Sequence, residues 1–278
     1  MTELLRIDNL TVTPAAQPHK MLVDGVSFAI AEGRTTCVVG ESGSGKSLTA
    51  LSVMSLLPPA LHRASGSIRF QDKELTALSS TQMQDIRGKR IGMIFQEPMT
   101  SLNPVLNVGF QIGESLTAHM GLAGKALKAR VGALLEQVGI PSARAGSYPD
   151  ELSGGQRQRV MIAMAIACEP AMLIADEPTT ALDVTVQAQI LALLAELKQR
   201  MNMGMLFITH DFGVVADIAD DVIVMFRGRI VESGSVDTVL NHPQHPYTRA
   251  LLDCVPDAEG RKPLKPIDYA WLNDEAAA

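Results

Sequence analysis

The stretch Gly40-Glu41-Ser42-Gly43-Ser44-Gly45-Lys46-Ser47 constrains this 278-residue chain more than any other. It fits the phosphate-loop pattern, and its surroundings are those the pattern needs. Thr35 to Val39 reads as a short apolar strand before it, and Lys46 to Leu57 reads as a helix after it, stopped by Pro58-Pro59. Glycines let backbone N–H groups turn inward around phosphate oxygens, and the helix adds its positive N-terminal end. Lys46 can reach β- and γ-phosphates, and the Ser47 hydroxyl can ligate Mg²⁺.

Two further motifs follow in order. Leu173-Ile174-Ala175-Asp176-Glu177 is an apolar strand ending in two carboxylates, about 130 residues after the loop, as in a parallel nucleotide-binding sheet. Asp176 suits the Mg²⁺ shell, and Glu177 could orient or deprotonate an attacking water; the bland reading of Asp-Glu-Pro is an acidic helix start. Leu152-Ser153-Gly154-Gly155-Gln156 precedes a helical run, Arg157 to Ala167. It is either a glycine turn capping that helix or a second anion site. One phosphate loop per chain cannot serve two anion sites, so the second reading implies a dimer in which each Ser153 turn faces the other chain's γ-phosphate. Gln96 and His210 each end an apolar strand, where a γ-phosphate contact and a purely structural role are both open. His242 and His245 lack a Cys or carboxylate pair beside them and read as loop residues rather than metal ligands.

The remaining chain supports an α/β class. Val26, Phe28 and Ile30 alternate against Ser27 and Ala29 in an N-terminal β region. Ile91–Phe95, Met172–Ala175, Met205–Thr209 and Val222–Phe226 read as buried strands, and between Asn107 and Cys168 the texture turns helical, with Val131, Leu134, Leu135 and Val138 on one face. Val186, Ile190, Leu194 and Leu197 share one side of a long helix. From His242 recurrent prolines suggest an extension that wraps or dangles. The net charge of −6 without a Lys/Arg run argues against nucleic acid. Three scattered cysteines favour a reducing compartment, and no apolar run reaches the roughly 18 residues of a spanning helix. A soluble, cytoplasmic chain is expected, with any membrane role exercised through partners.

Together these motifs resemble the nucleotide-binding subunit of an ABC transporter from about Leu4 to Pro256. The resemblance implies a phosphate-loop (RecA-like) ATPase core with an N-terminal antiparallel β region and an inserted α-helical subdomain. It assigns the core to 1–103 and 169–240, the helical signature subdomain to 104–168 and a C-terminal extension to 241–278. It makes Glu177 and His210 catalytic. Gly40, Glu41, Ser42, Gly43, Ser44, Gly45, Lys46, Ser47, Gln96, Asp176, Ser153, Gly154, Gly155, Gln156 and Asp183 become nucleotide-binding, with Ser47, Gln96 and Asp176 on Mg²⁺ and Ala181-Leu182-Asp183 as the D-loop.

Phe95–Pro104, Arg157–Ala165, Ala175–Gln189 and His245–Leu251 are similar to a narrower group, the ATPases of dipeptide, oligopeptide and nickel importers, in particular the first of two non-identical ATPases. That implies ATP and Mg²⁺ as cofactors, a second related ATPase, two membrane permeases contacted near Gln96 and Met99–Pro104, an extracytoplasmic binding protein, and a peripheral place on the cytoplasmic face of the inner membrane. Two departures stand out. No aromatic precedes Phe28 to stack on adenine, and Pro14 occupies the expected place, so an apolar side chain such as Val12 is expected there. Only Cys254 lies in the extension, so no iron–sulfur cluster is expected. A soluble ABC ATPase acting on DNA or ribosomes is the alternative; about a hundred residues without sustained heptads separate loop and signature, and the chain has one such domain.

Overall fold

The computed structural model describes residues 2–97, 101–180, 182–254 and 269. The expected permease contact at Met99–Pro104 falls partly outside them, as does Ala181 of the D-loop and most of the extension after Cys254. In chain order the strands are β1 (Glu3–Pro14), β2 (Val23–Ala31), β3 (Thr35–Val39), β4 (Leu61–Phe70), β5 (Lys73–Glu74), β6 (Ile91–Ile94), β7 (Met172–Asp176), β8 (Gly204–Thr209), β9 (Asp221–Phe226) and β10 (Arg229–Ser235). The helices are α1 (Lys46–Val53), α2 (Ser80–Gln84), α3 (Val108–Met120), α4 (Gly124–Gln137), α5 (Gly154–Ile166), α6 (Val184–Met201), α7 (Phe212–Ile218), α8 (Val236–Asn241) and α9 (Pro246–Asp253).

The chain divides into two compact units. One comprises Arg6–Ala29, Arg34–Ile68 and Ile208–Ala278. Here β2, β1 and β4 lie side by side in that order. The Gly25 N–H donates to Thr11 Oγ1 and the Asn9 N–H to Ser27 Oγ, so partners rise along one strand as they fall along the other. β1 and β2 are therefore antiparallel, as expected of the N-terminal β region. The five residues of β3 are all buried, and the strand runs parallel to β9 in the register Thr36↔Asp221 to Val39↔Val224. Its start is pinned by polar groups: Arg34 makes a two-pronged pair with Asp221 at 2.9 and 3.0 Å, and the Thr35 N–H donates to Asp220 at 2.7 Å. β10 closes antiparallel on β9. α1 ends at Val53 rather than running on to Leu57, because Ser55 turns left-handed at φ 50° and breaks the helical hydrogen-bond ladder.

The other unit comprises Met1–Leu5, Ile30–Gly33 and Arg69–Phe207. β6 and β7 pair in parallel, Ile91↔Met172 to Ile94↔Ala175, in the order β8–β7–β6. α3, α4 and α5 pack on one another. Val131, Leu134, Leu135 and Val138 are buried on one face as their spacing requires. In α6, Ile190, Leu194 and Leu197 are buried, each such side chain worth about 1.5–3 kcal/mol relative to exposure. The sequence reading missed β4 and β10. Within the segment expected as an extension, Pro246 opens α9 from its first turn, a position where a missing N–H costs no helical hydrogen bond.

Candidate functional site

The parallel register of β3 and β9 fixes where the glycine loop starts. Val39 opposes Val224, so Gly40 comes against the next residue, Met225. A Cβ on Gly40 would lie 2.1 Å from the Met225 carbonyl oxygen, and its φ of 149° falls where side chains are strained. We therefore expect Gly40→Ala to lower stability by about 2–4 kcal/mol, read as a fall in the urea midpoint at constant slope. Beyond it the loop folds round the Lys46 ammonium. Nζ donates to the carbonyls of Gly40 at 2.7 Å and Glu41 at 2.8 Å, and lies 3.4 Å from Ser44 Oγ. Lys46 is 5% exposed. The Gly228 N–H anchors the far side of the loop by donating to the Ser44 carbonyl at 3.0 Å. The loop thus has no room for a Cβ at Gly40, and it places a buried ammonium beside the N-terminus of α1. That donor set fits a phosphate anion.

In the other unit the register of β6 and β7 carries chemistry past the strand ends. Continuing from Ile94↔Ala175 brings Gln96 opposite Glu177. Gln96 Nε2 accordingly donates to Glu177 Oε2 at 3.1 Å, and Thr180 Oγ1 donates to the same oxygen at 2.9 Å. Glu177 has a φ of 46°, rare for a residue with a side chain. Asp176, 5% exposed, ends β7 directly before it. Asp-Glu-Pro thus does not begin a helix; it makes a turn in which Asp176 is buried and Glu177 half-buried. The side-chain oxygens of Asp176 and Gln96 in this unit, and the Ser47 hydroxyl in the other, are each of the hard type that suits Mg²⁺.

Ser153 caps α5: its Oγ accepts the Gln156 N–H at 3.3 Å, and Gln156 Oε1 accepts the Ser153 N–H at 3.0 Å. Ser153 and Gly154 remain exposed. A Cβ on Gly155 would meet Val186 Cγ1 at 2.7 Å, so only glycine lets α5 start this close to α6. Asp183, which is exposed, caps α6 by accepting the Val186 N–H at 2.9 Å. His210 is exposed just after β8, where Thr209 Oγ1 accepts the Asp211 N–H at 3.0 Å. The structure thus joins Gln96 to Glu177 within one unit, and Lys46 to Gly40, Glu41 and Ser44 within the other.

The family profile described as ABC transporter matches residues 23–180, more than half of the chain. The chain belongs to the ABC transporter ATP-binding family. A second profile, the C-terminal region of oligopeptide/dipeptide transporters, matches residues 231–271. The oligopeptide transport ATP-binding protein of Bacillus subtilis is 50% identical over 93% of this chain and 74% of its own length. The glutathione import ATP-binding protein of Escherichia coli is 50% identical over 96% of this chain, which spans 44% of that relative's length. Among solved structures, cbiO1 of Clostridium perfringens, described as part of an ABC transporter complex, superposes with a TM-score of 0.76 at 27% identity, covering 87% of this chain and 92% of its own. A dimeric ATP-binding cassette in a post-hydrolysis state with ADP and Pi gives 0.75 at 26%, covering 84% of this chain and 99% of its own.

This ABC ATP-binding chain departs from the sequence expectation at one point. Val12 is fully buried in β1, so it offers no face on which adenine could rest. Beside it Thr13 Oγ1 lies 3.4 Å from Nε2 of the exposed His62, a neighbour that no motif indicated. The oligopeptide-type C-terminal region has its own polar anchor. Burial alone would raise the Glu232 carboxyl, but N–H groups of Gln244 at 2.6 Å and His245 at 3.1 Å outweigh it, leaving the group below the usual carboxylate range. A carboxyl lowered on folding stabilises fully above its unfolded value of about 4.3 and loses that contribution as pH falls through the lower folded value. We expect the gap in melting temperature between wild type and Glu232→Gln to be constant from neutral pH to about pH 5, then to shrink in more acidic buffer.

Proposed function

We propose that this chain is the ATP-hydrolysing subunit of an ABC importer for peptides, working as a nucleotide sandwich with a second, related ATPase. The observation that carries the reading is the carboxylate of Glu177, set at the end of β7 by a left-handed backbone and gripped by Gln96 and Thr180. Thr180 ties the carboxylate to its own turn, while Gln96 reaches it from the neighbouring strand end; a carboxylate held from two elements at a strand's carboxyl end suits positioning a water for attack.

ATP supplies the anhydride to be cleaved, and Mg²⁺ the positive charge on its oxygens. The amides from Gly40 to Ser47 would cradle the phosphates, Lys46 would turn its ammonium to the terminal ones, and Ser47, Gln96 and Asp176 would hold the metal. Glu177 orients water and takes its proton; His210 contacts the γ-phosphate side. Ser153, Gly154, Gly155 and Gln156, the first two of them exposed at the start of α5, would complete the partner's site together with Asp183. We assign 1–103 and 169–240 to the core, 104–168 to the helical lobe and 241–278 to the extension. No helix among the described residues is long and apolar enough to cross a membrane. We place the chain peripherally on the cytoplasmic face, with two permeases and an external binding protein. The names of the relatives, oligopeptide and glutathione import, favour a peptide cargo over nickel.

The test is capture of the assembly. Tagged Glu177→Gln chain is expressed in its host, and membranes are solubilised in mild detergent with ATP and Mg²⁺. Recovery of two permeases and a second ATPase supports the reading; recovery of ribosomes or DNA alone would move the chain to the soluble class of ABC ATPases.

A further inference from the structure

The second residue of the phosphate loop is held from outside the loop. Tyr247, fully buried at the second position of α9, accepts the Glu41 backbone N–H on its hydroxyl at 3.0 Å, although 206 positions separate them. On the other side of the same residue, the Glu41 carbonyl accepts from Lys46 Nζ at 2.8 Å. Tyr247 therefore orients the residue whose carbonyl seats the loop's ammonium. Tyr269 donates its hydroxyl to the Glu41 carboxylate, so the backbone and side chain of Glu41 are both tied to the C-terminal region.

The tyrosine is itself well fixed. Its ring packs on Phe226 with centroids 4.4 Å apart at 44°, and its N–H donates to Nδ1 of the cap residue His245 at 3.1 Å. The cap is seated in turn by Glu232, whose carboxylate accepts the His245 N–H. Burial raises the Tyr247 hydroxyl above its ordinary titration range, and the Glu41 N–H it accepts offsets part of that rise.

We propose that Tyr247 is a positioning residue for nucleotide binding, through which the C-terminal region sets the conformation of Glu41 and Lys46. The chain Tyr247 Oη, Glu41 N–H, Glu41 C=O, Lys46 Nζ is short and buried enough that loosening α9 loosens the ammonium. Binding at a loop linked to α9 must in turn steady α9, because coupling between two sites is reciprocal. The inference rests on the nucleotide-binding reading of the loop.

Its test uses Tyr247→Phe, which keeps the ring on Phe226 and removes only the hydroxyl. Titration calorimetry of the full chain with ATP and Mg²⁺ should show a Kd about five- to tenfold weaker than wild type, the scale of one buried hydrogen bond. In the assembled complex KM for ATP should rise with kcat little changed. A melting temperature that falls while Kd and KM stay at wild-type values would make Tyr247 merely structural and overturn the proposal. Hydrogen exchange on wild type needs no variant: ATP with Mg²⁺ should slow exchange of the 247–253 amides severalfold, and an unchanged rate at saturating ATP would overturn it too. If wild type binds no ATP, both this proposal and the nucleotide reading fall; if wild type binds and Tyr247→Phe binds equally, only this proposal falls.

Discussion

Glu177→Gln is expected to bind ATP with little change in Kd and to lower turnover by about 10²- to 10⁴-fold, the range that a positioned general base supplies. The geometry explains the split. The amide is nearly the size of the carboxylate and can still accept from Thr180 Oγ1, now 2.9 Å from Oε2, so the turn after β7 should persist. It cannot take a proton from water. Equilibrium titration with ATP and Mg²⁺ and phosphate release from the assembled complex would read the two effects separately. A variant with wild-type turnover would remove Glu177 from the reaction, whatever its backbone strain means.

Lys46→Ala is expected to act at the earlier step. Its ammonium is buried and shared among Gly40, Glu41 and Ser44. Charge-assisted hydrogen bonds contribute about 1.5–3 kcal/mol, so ATP affinity should fall about 10- to 100-fold and turnover with it. The substitution also leaves the carbonyls of Gly40 and Glu41 without this donor, so the free protein should melt at lower temperature. Calorimetry on the purified variant distinguishes the cases: unaltered affinity would mean that the loop grips phosphate by its amides alone.

What the sequence made visible was mostly local. β3, β7 and β9 are short apolar runs that declare themselves, and the loop between β3 and α1 has a pattern tied to one backbone shape. The exposed strands β4 and β10 have weak alternation, for example Leu61-His62-Arg63-Ala64, so period-2 reasoning passed over them. Prolines 243 and 246 suggested irregular chain, and the capping role of His245 hid a helix. Glu177 stood out as the second carboxylate ending an apolar strand and Gln96 as a strand-end residue, with the resemblance giving each its role; their pairing is a matter of strand register, which no single sequence displays. Tyr247 lies farther out of reach, since its partner Glu41 comes from the opposite end of the chain and neither residue carries a local signal of the other. Val12 failed because β1 turns that side chain inward, and alternation alone could not say which face of the strand is covered.

The central claim, that hydrolysis in this chain drives peptide uptake, is tested most directly in proteoliposomes holding the captured permeases and both ATPases, with ATP on the side that carries this subunit. Uptake of a radiolabelled peptide delivered by the companion binding protein should depend on ATP and should fall about 100-fold or more with Glu177→Gln. Uptake at the wild-type rate in that variant, or without ATP, would contradict the account.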